Sequence, residues 1–299
     1  MKQGVALSVF SSFLFAALYY YATVLEPLSG ASIFAWRVAL ALPVLAFLIS
    51  RARSWPVVHE VHLRLRREGR LWAALLTSGA LIGVQLLLFM WAPLHGYAMD
   101  VAMGYFLLPL AMVVVGRVFY RERLTGFQKA AVLMAAFGVG HELLRVGAFS
   151  WATAAVVLGY PPYFMLRRHL RMNSLAGLWF DMILLLPVAL WLLFRQEPGV
   201  LAQFAQRPSL WLLVPLLGII SSTALVCYLA ASRRLPLSLF GILGYVEPVL
   251  LFWVAFLLLG EPVTTESLGT YVPIWVAVLL MAAEGGLAWR RGARKTRRS

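Results

Sequence analysis

Charge is scarce in this chain. Of its 299 residues 13% are Asp, Glu, Lys or Arg, whereas 62% are hydrophobic. A soluble domain carries about 25% charged residues, so there is too little polar surface to coat a water-soluble globule of this size. Acidic residues are the scarcest, 12 against 26 basic ones, for a net charge of +14. The basic residues fall in short clusters between apolar blocks, which is how membrane topology is encoded. A nucleic-acid partner is therefore not expected. The single cysteine, Cys227, excludes an internal disulfide. No Walker motif is present, so ATP is not the direct energy source. His59-Glu60-Val61-His62 spaces its histidines three apart, not the four of a zinc-protease helix. No ring of charge or glycine-rich filter suggests a channel. Neither an enzyme, a metal nor a cofactor is expected.

What is present is apolar sequence in blocks of about 20 residues, the length that spans a bilayer core as a helix. The blocks do not alternate as barrel strands do. The first, from Gly4 to about Leu25, is too long for the core of a cleaved signal. The chain reads as an all-α integral membrane protein with ten transmembrane helices. Their spans are 4–24, 32–50, 71–96, 100–119, 126–144, 150–167, 174–193, 209–232, 237–259 and 266–289. With the N-terminus inside, 22 of the 26 basic residues fall in cytoplasmic segments and only Arg145, Arg195 and Arg207 outside. That bias predicts that both termini are cytoplasmic. The basic loop 51–70 reads either as a helix on the inner leaflet or as a solvated loop.

One segment is written twice. GYFLLPLAMVVVGRVFYRE occupies residues 104–122, and GYVEPVLLFWVAFLLLGEP occupies 244–262. Pro109 precedes Glu122 by thirteen residues, and Pro248 precedes Glu261 by thirteen. Arginines flank only the first glutamate. Ten spans divide into five and five, residues 1–145 and 146–299, and a five-span unit ends on the side opposite its start. The second copy is thus upside down, and the charge around its glutamate suits the other side. Inverted repeats place their substrate site at the repeat interface near mid-membrane.

The two halves resemble the paired EamA repeats of the drug/metabolite transporter superfamily over the whole chain. Residues 81–124, Trp36-Arg37, LLLP at 184–187, GYVEP at 244–248 and IWVA at 274–277 look like the RarD-type subgroup. The ten-span arrangement is also that of the YddG-type amino-acid exporters. The resemblance implies a bacterial inner-membrane exporter with a central cavity and alternating access. It implies export of amino acids, aromatic and other large neutral ones, with a drug, sugar or other metabolite as the alternative. A monomer working on a small molecule within the bilayer is expected. Phe15-Ala16 stands where Trp-Gly is usual, Leu108 where Asn is typical, and Gln85 for a neighbouring Asn, so the cavity should be more apolar than the family pattern.

Ionisable groups inside a membrane are functional candidates by default. Glu247 lies ten residues into its span, about 15 Å deep at helical rise, and either lines the cavity or pairs with Arg37. Asp181 and Arg37 are the other coupling candidates. Pro109 and Pro248 free carbonyls and kink helices in corresponding places of the two halves. Candidate substrate-binding residues are Tyr20, Gln85, Phe89, Tyr105, Tyr163, Trp179, Ser222, Tyr245 and Glu247. A tyrosine offers an apolar face with one hydroxyl. Ser222 could meet an amine or carboxylate, or serve close helix contact.

Overall fold

A computed structural model describes residues 2–92, 97–147, 150–197, 199–258 and 265–296. The described residues are all-α and contain no strand. The helices are α1 (Lys2–Val24), α2 (Gly30–Arg51), α3 (Trp55–Arg67), α4 (Gly69–Trp91), α5 (Ala98–Phe119), α6 (Gly126–Val146) and α7 (Trp151–His169). They continue with α8 (Ser174–Phe194), α9 (Val200–Gln206), α10 (Leu210–Arg234), α11 (Leu237–Leu243), α12 (Val246–Leu258) and α13 (Thr265–Thr296). Among the described residues α1, α2, α4, α8 and α10 are long and apolar enough to cross a membrane. Met103–Phe119, Leu237–Leu250 and Leu268–Glu284 form shorter apolar stretches. This is a multi-pass membrane protein.

Local chemistry sets the helix ends. Ser29 accepts the Ser32 N–H at 3.2 Å to start α2, and Asn173 accepts that of Leu175 at 3.0 Å to start α8. Thr125 Oγ1 accepts the Gln128 N–H and Gln128 Oε1 the Thr125 N–H, each at 3.2 Å, in a capping box that starts α6. The basic loop contains a helix, α3, whose Val58, Val61 and Leu65 are buried while Arg66 and Arg67 are exposed.

The segment around Pro248 is broken. Proline has no N–H to give the carbonyl four residues back, here that of Gly244. That carbonyl takes the Glu247 N–H at 3.3 Å instead. The chain therefore stops as α11 and restarts as α12 across Gly244 and Tyr245. In α5 the helix runs unbroken through Pro109. Glu261, which closes the second copy of the motif, lies outside the described residues.

Helix pairing follows a pattern. The pairs α2–α8, α5–α11 and α6–α13 pack together, as do α1–α10 and α4–α7, α5–α7 and α1–α12, and α2–α10 and α4–α8. Suppose α1, α2, α4, α5 and α6 are exchanged with α7, α8, α10, α11–α12 and α13. The set of pairs is then unchanged. Small residues permit the close approaches. A Cβ on Gly83 would lie 2.4 Å from Leu185 of α8, and one on Gly218 would lie 2.5 Å from Leu40 of α2. These two contacts are counterparts under the same exchange.

Candidate functional site

Eight helices surround one cavity. α4 contributes Ile82, Leu86 and Phe89, and α5 contributes Tyr105, Leu108, Pro109 and Met112. α10 contributes Leu225, Tyr228 and Leu229. The broken helix contributes Phe240, Gly241, Gly244, Glu247 and Pro248. α1, α2 and α7 add Phe15, Arg37 and the pair Tyr160 and Tyr163. The steps of three, four and seven are those of a single helix stripe.

Aromatic rings pack the walls. Phe89 meets Tyr105 edge-on at 5.6 Å, and the Tyr105 and Tyr160 hydroxyls lie 3.3 Å apart. Phe164 lies behind Tyr160 and meets Tyr228 at 5.6 Å and Phe240 at 5.1 Å. Phe15 meets Tyr228 edge-on at 5.6 Å.

Two ionisable groups break this apolar lining. Arg37 is buried at 5% exposure, and its Nε donates to Ser221 Oγ at 2.8 Å. Among the described residues its terminal nitrogens have no acceptor, and no ion pair joins Arg37 to Glu247. Glu247 is half-buried and accepts no side-chain hydrogen bond among the described residues. A guanidinium and a carboxyl group therefore face one cavity and do not pair with each other.

The other residues singled out from sequence lie away from the lining. Tyr20 is 38% exposed on α1. Gln85 points at α7, where its Nε2 donates to Ala155 O at 2.8 Å across the gap that Gly159 leaves. Trp179 stacks edge-on against Trp55 at 5.4 Å and holds α3 to α8. Ser222 is fully buried, and its hydroxyl has no partner among the described residues, while the adjacent Ser221 serves Arg37. Tyr245 donates to Phe106 O at 3.0 Å and ties the helix break to α5.

Asp181 is fully buried next to the cavity wall. It lies 3.5 Å from Arg167 Nη1, accepts from Tyr163 Oη at 3.4 Å and from Ser78 Oγ at 3.5 Å. Arg167 reads in the sequence as one of the cytoplasmic arginines. It is 4% exposed, packed at the end of α7 in a slot that the missing side chain of Gly177 opens. Tyr160, Tyr228 and Phe240 are lining residues that sequence reasoning passed over. The signal for Tyr228 was its spacing of seven from Ser221, with Leu225 between.

Apolar helices around an aromatic cavity, with a guanidinium and a carboxyl group in its wall, describe a multi-pass membrane transporter of small molecules. No protein-family model matches the chain. It is 47% identical to the chloramphenicol-sensitive protein RarD of Pseudomonas aeruginosa over 98% of both chains. It is also 38% identical to an uncharacterized transporter of Haemophilus influenzae over 95% of both. The identity to protein RarD of Escherichia coli is 28%, over 97% of both. One solved crystal structure shares the fold with a TM-score of 0.70 at 19% identity, covering 94% of this chain and 96% of that one. The chain belongs to the RarD-type family of the drug/metabolite transporter superfamily.

Proposed function

We propose that the protein exports amino acids, aromatic and other large neutral ones, across the bacterial inner membrane. The observation that carries this reading is that Arg37 and Glu247 line one aromatic cavity without pairing with each other. An α-amino acid is a zwitterion, and its carboxylate suits the free guanidinium edge of Arg37. Its ammonium suits the Glu247 carboxylate. The side chain then lies among Phe89, Tyr105, Tyr160 and Tyr228. A pocket mostly apolar, with a few placed polar groups, is the usual form of a small-molecule site.

Movement follows from the halves, 1–145 and 146–299. The ten spans of this reading are α1, α2, α4, α5, α6, α7, α8, α10, α11 with α12, and α13. The exchangeable pattern of helix pairs supports two inverted repeats. So does a broken helix at the site, since such breaks mark the binding region of repeat-built transporters. The two halves rock around the cavity and expose it to each side in turn. Charge placement supports cytoplasmic termini, with Glu122 and Arg168 at the cytoplasmic end. Arg37 and Glu247 belong to substrate binding. Asp181, one hydrogen bond behind Tyr163, is the remaining coupling candidate. The working unit is a monomer.

A second reading is a drug carrier, because a flat neutral aromatic would also fit this lining and a relative is named for chloramphenicol sensitivity. Purified protein in liposomes distinguishes the two. Accelerated efflux of phenylalanine, tryptophan or methionine supports amino-acid export. Movement of chloramphenicol with no amino-acid flux would establish the second reading instead.

A further inference from the structure

Next to the cavity lies a contact that the binding site does not use. Glu122 lies in the turn between α5 and α6. Its Oε1 accepts the Leu237 N–H and its Oε2 the Ser238 N–H, each at 2.8 Å. These are N–H groups of the first turn of α11, which no helix satisfies internally. The backbone of Glu122 is itself fixed. Its N–H donates to Gly116 O at 3.1 Å, and its carbonyl accepts from Arg117 Nη1 at 3.0 Å. The carboxylate is thus aimed from the first half of the chain at the second.

Two further groups hold the contact. Arg168, from the last turn of α7, donates through Nη2 to Leu235 O at 2.7 Å and Ser232 O at 3.2 Å. Its Nη1 lies 3.7 Å from Glu122 Oε1, and its guanidinium sits over the Tyr120 ring at 4.9 Å. Gly116 makes room, because a Cβ there would lie 2.2 Å from Ser238 Oγ and 2.6 Å from Glu122 Oε2. The contact stands directly below the cavity. Met112, one turn from Gly116, and Phe240, two residues from Ser238, both line it.

The cap comes from a residue 115 positions before Leu237 in the chain, and it is reachable by water. The side chains of Glu122 and Arg168 are 14% and 25% exposed. Water can replace the main-chain donors for the carboxylate, so the contact can open without stranding a buried charge. We infer that Glu122 is the latch that holds this end of the cavity shut, and that it releases the start of α11 when the cavity opens on this side. Arg168 positions the α10–α11 turn for it. The inference rests on the reading of alternating access.

The test follows a thiol placed in the cavity. With Cys227→Ser removing the native thiol, Met112→Cys is labelled by a membrane-impermeant methanethiosulfonate in vesicles of both orientations. The face that carries the latch is the one from which His169→Cys, an exposed residue beside Arg168, is labelled. From that face, Glu122→Ala should speed labelling of Met112→Cys by several-fold or more. Glu122→Gln, which keeps one accepting oxygen, should fall between. A short bis-methanethiosulfonate bridge between Glu122→Cys and Ser238→Cys should slow labelling of Met112→Cys, and reduction of the bridge, with the reductant removed before the label is added, should restore it. The proposal is overturned if Glu122→Ala and Glu122→Gln leave the rate unchanged in folded protein, or if the bridged protein is labelled as fast as the unbridged one. No substrate enters the measurement, so an error in the amino-acid reading leaves its result standing.

Discussion

Arg37 on α2 is held by Ser221 on α10 through a single bond of 2.8 Å from Nε to Oγ. That bond joins two helices and aims the rest of the guanidinium into the cavity. Ser222, the next residue, is as deeply buried and has no partner among the described residues. Two adjacent serines should therefore respond differently to the same substitution. Ser221→Ala leaves a buried donor unsatisfied, at a cost of about 1–3 kcal/mol, and frees Arg37 to turn. It should lower both the melting temperature and the transport rate. Ser222→Ala removes an unpaired hydroxyl and should leave both unchanged or raise stability slightly. Thermal unfolding in detergent with flux in liposomes checks the pair.

The buried pair of Asp181 and Arg167 gives a second expectation. Removing one partner of a buried pair leaves an uncompensated charge, typically at about 3–5 kcal/mol. Asp181→Leu should strongly destabilise the protein. Asp181→Leu with Arg167→Leu should recover much of that loss. Tyr163→Phe removes a weak bond of 3.4 Å and should be mild in stability. If flux falls in Tyr163→Phe while folding is retained, the cluster reaches the cavity through this hydroxyl.

Gly241 gives a third. It lets α11 touch α5 where Pro109 passes, and an added Cβ would lie 2.8 Å from Pro109 O and 2.7 Å from Met112 Cβ. A backbone atom cannot step aside as a side-chain tip can. Gly241→Ala should cost about 1–3 kcal/mol, as overpacking does. Gly126→Ala, where nothing lies within 4 Å, is the control and should not destabilise. Melting curves of the two variants check this.

Much of the helical layout was legible because apolar block length and basic clusters are properties of consecutive residues. The rotation of each helix is not. Tyr105 and Tyr245 hold corresponding places in the repeated motif, yet Tyr105 faces the cavity and Tyr245 turns its hydroxyl to Phe106 O. Both prolines lack the N–H, but the residue four positions back is Gly244 in one copy, where the helix breaks, and Tyr105 in the other, where α5 runs on. Gln85 and Leu86 are neighbours, and only the second faces the cavity, because Gly159 offers the first a slot on α7. Arg167 read as a topology signal because its tertiary partner, Asp181, lies on a different helix. Glu247 and Arg37 stood out as rare charges in apolar spans. That they face one cavity unpaired depends on Ser221 holding the arginine aside, which no spacing reveals.

The most direct test of the central claim uses three compounds of one shape in the same liposomes. Phenylalanine carries both charges, 3-phenylpropionate only the carboxylate, and 2-phenylethylamine only the ammonium. Each missing charged contact should cost about 1.5–3 kcal/mol, or roughly 10-fold to 150-fold in apparent affinity. Native protein should move phenylalanine at least about ten-fold better than either analogue at low concentration. Glu247→Gln should narrow the gap to 3-phenylpropionate, and Arg37→Gln should narrow the gap to 2-phenylethylamine. Equal movement of all three by the native protein, or unchanged discrimination in both variants when well folded, would contradict a zwitterion held between Arg37 and Glu247.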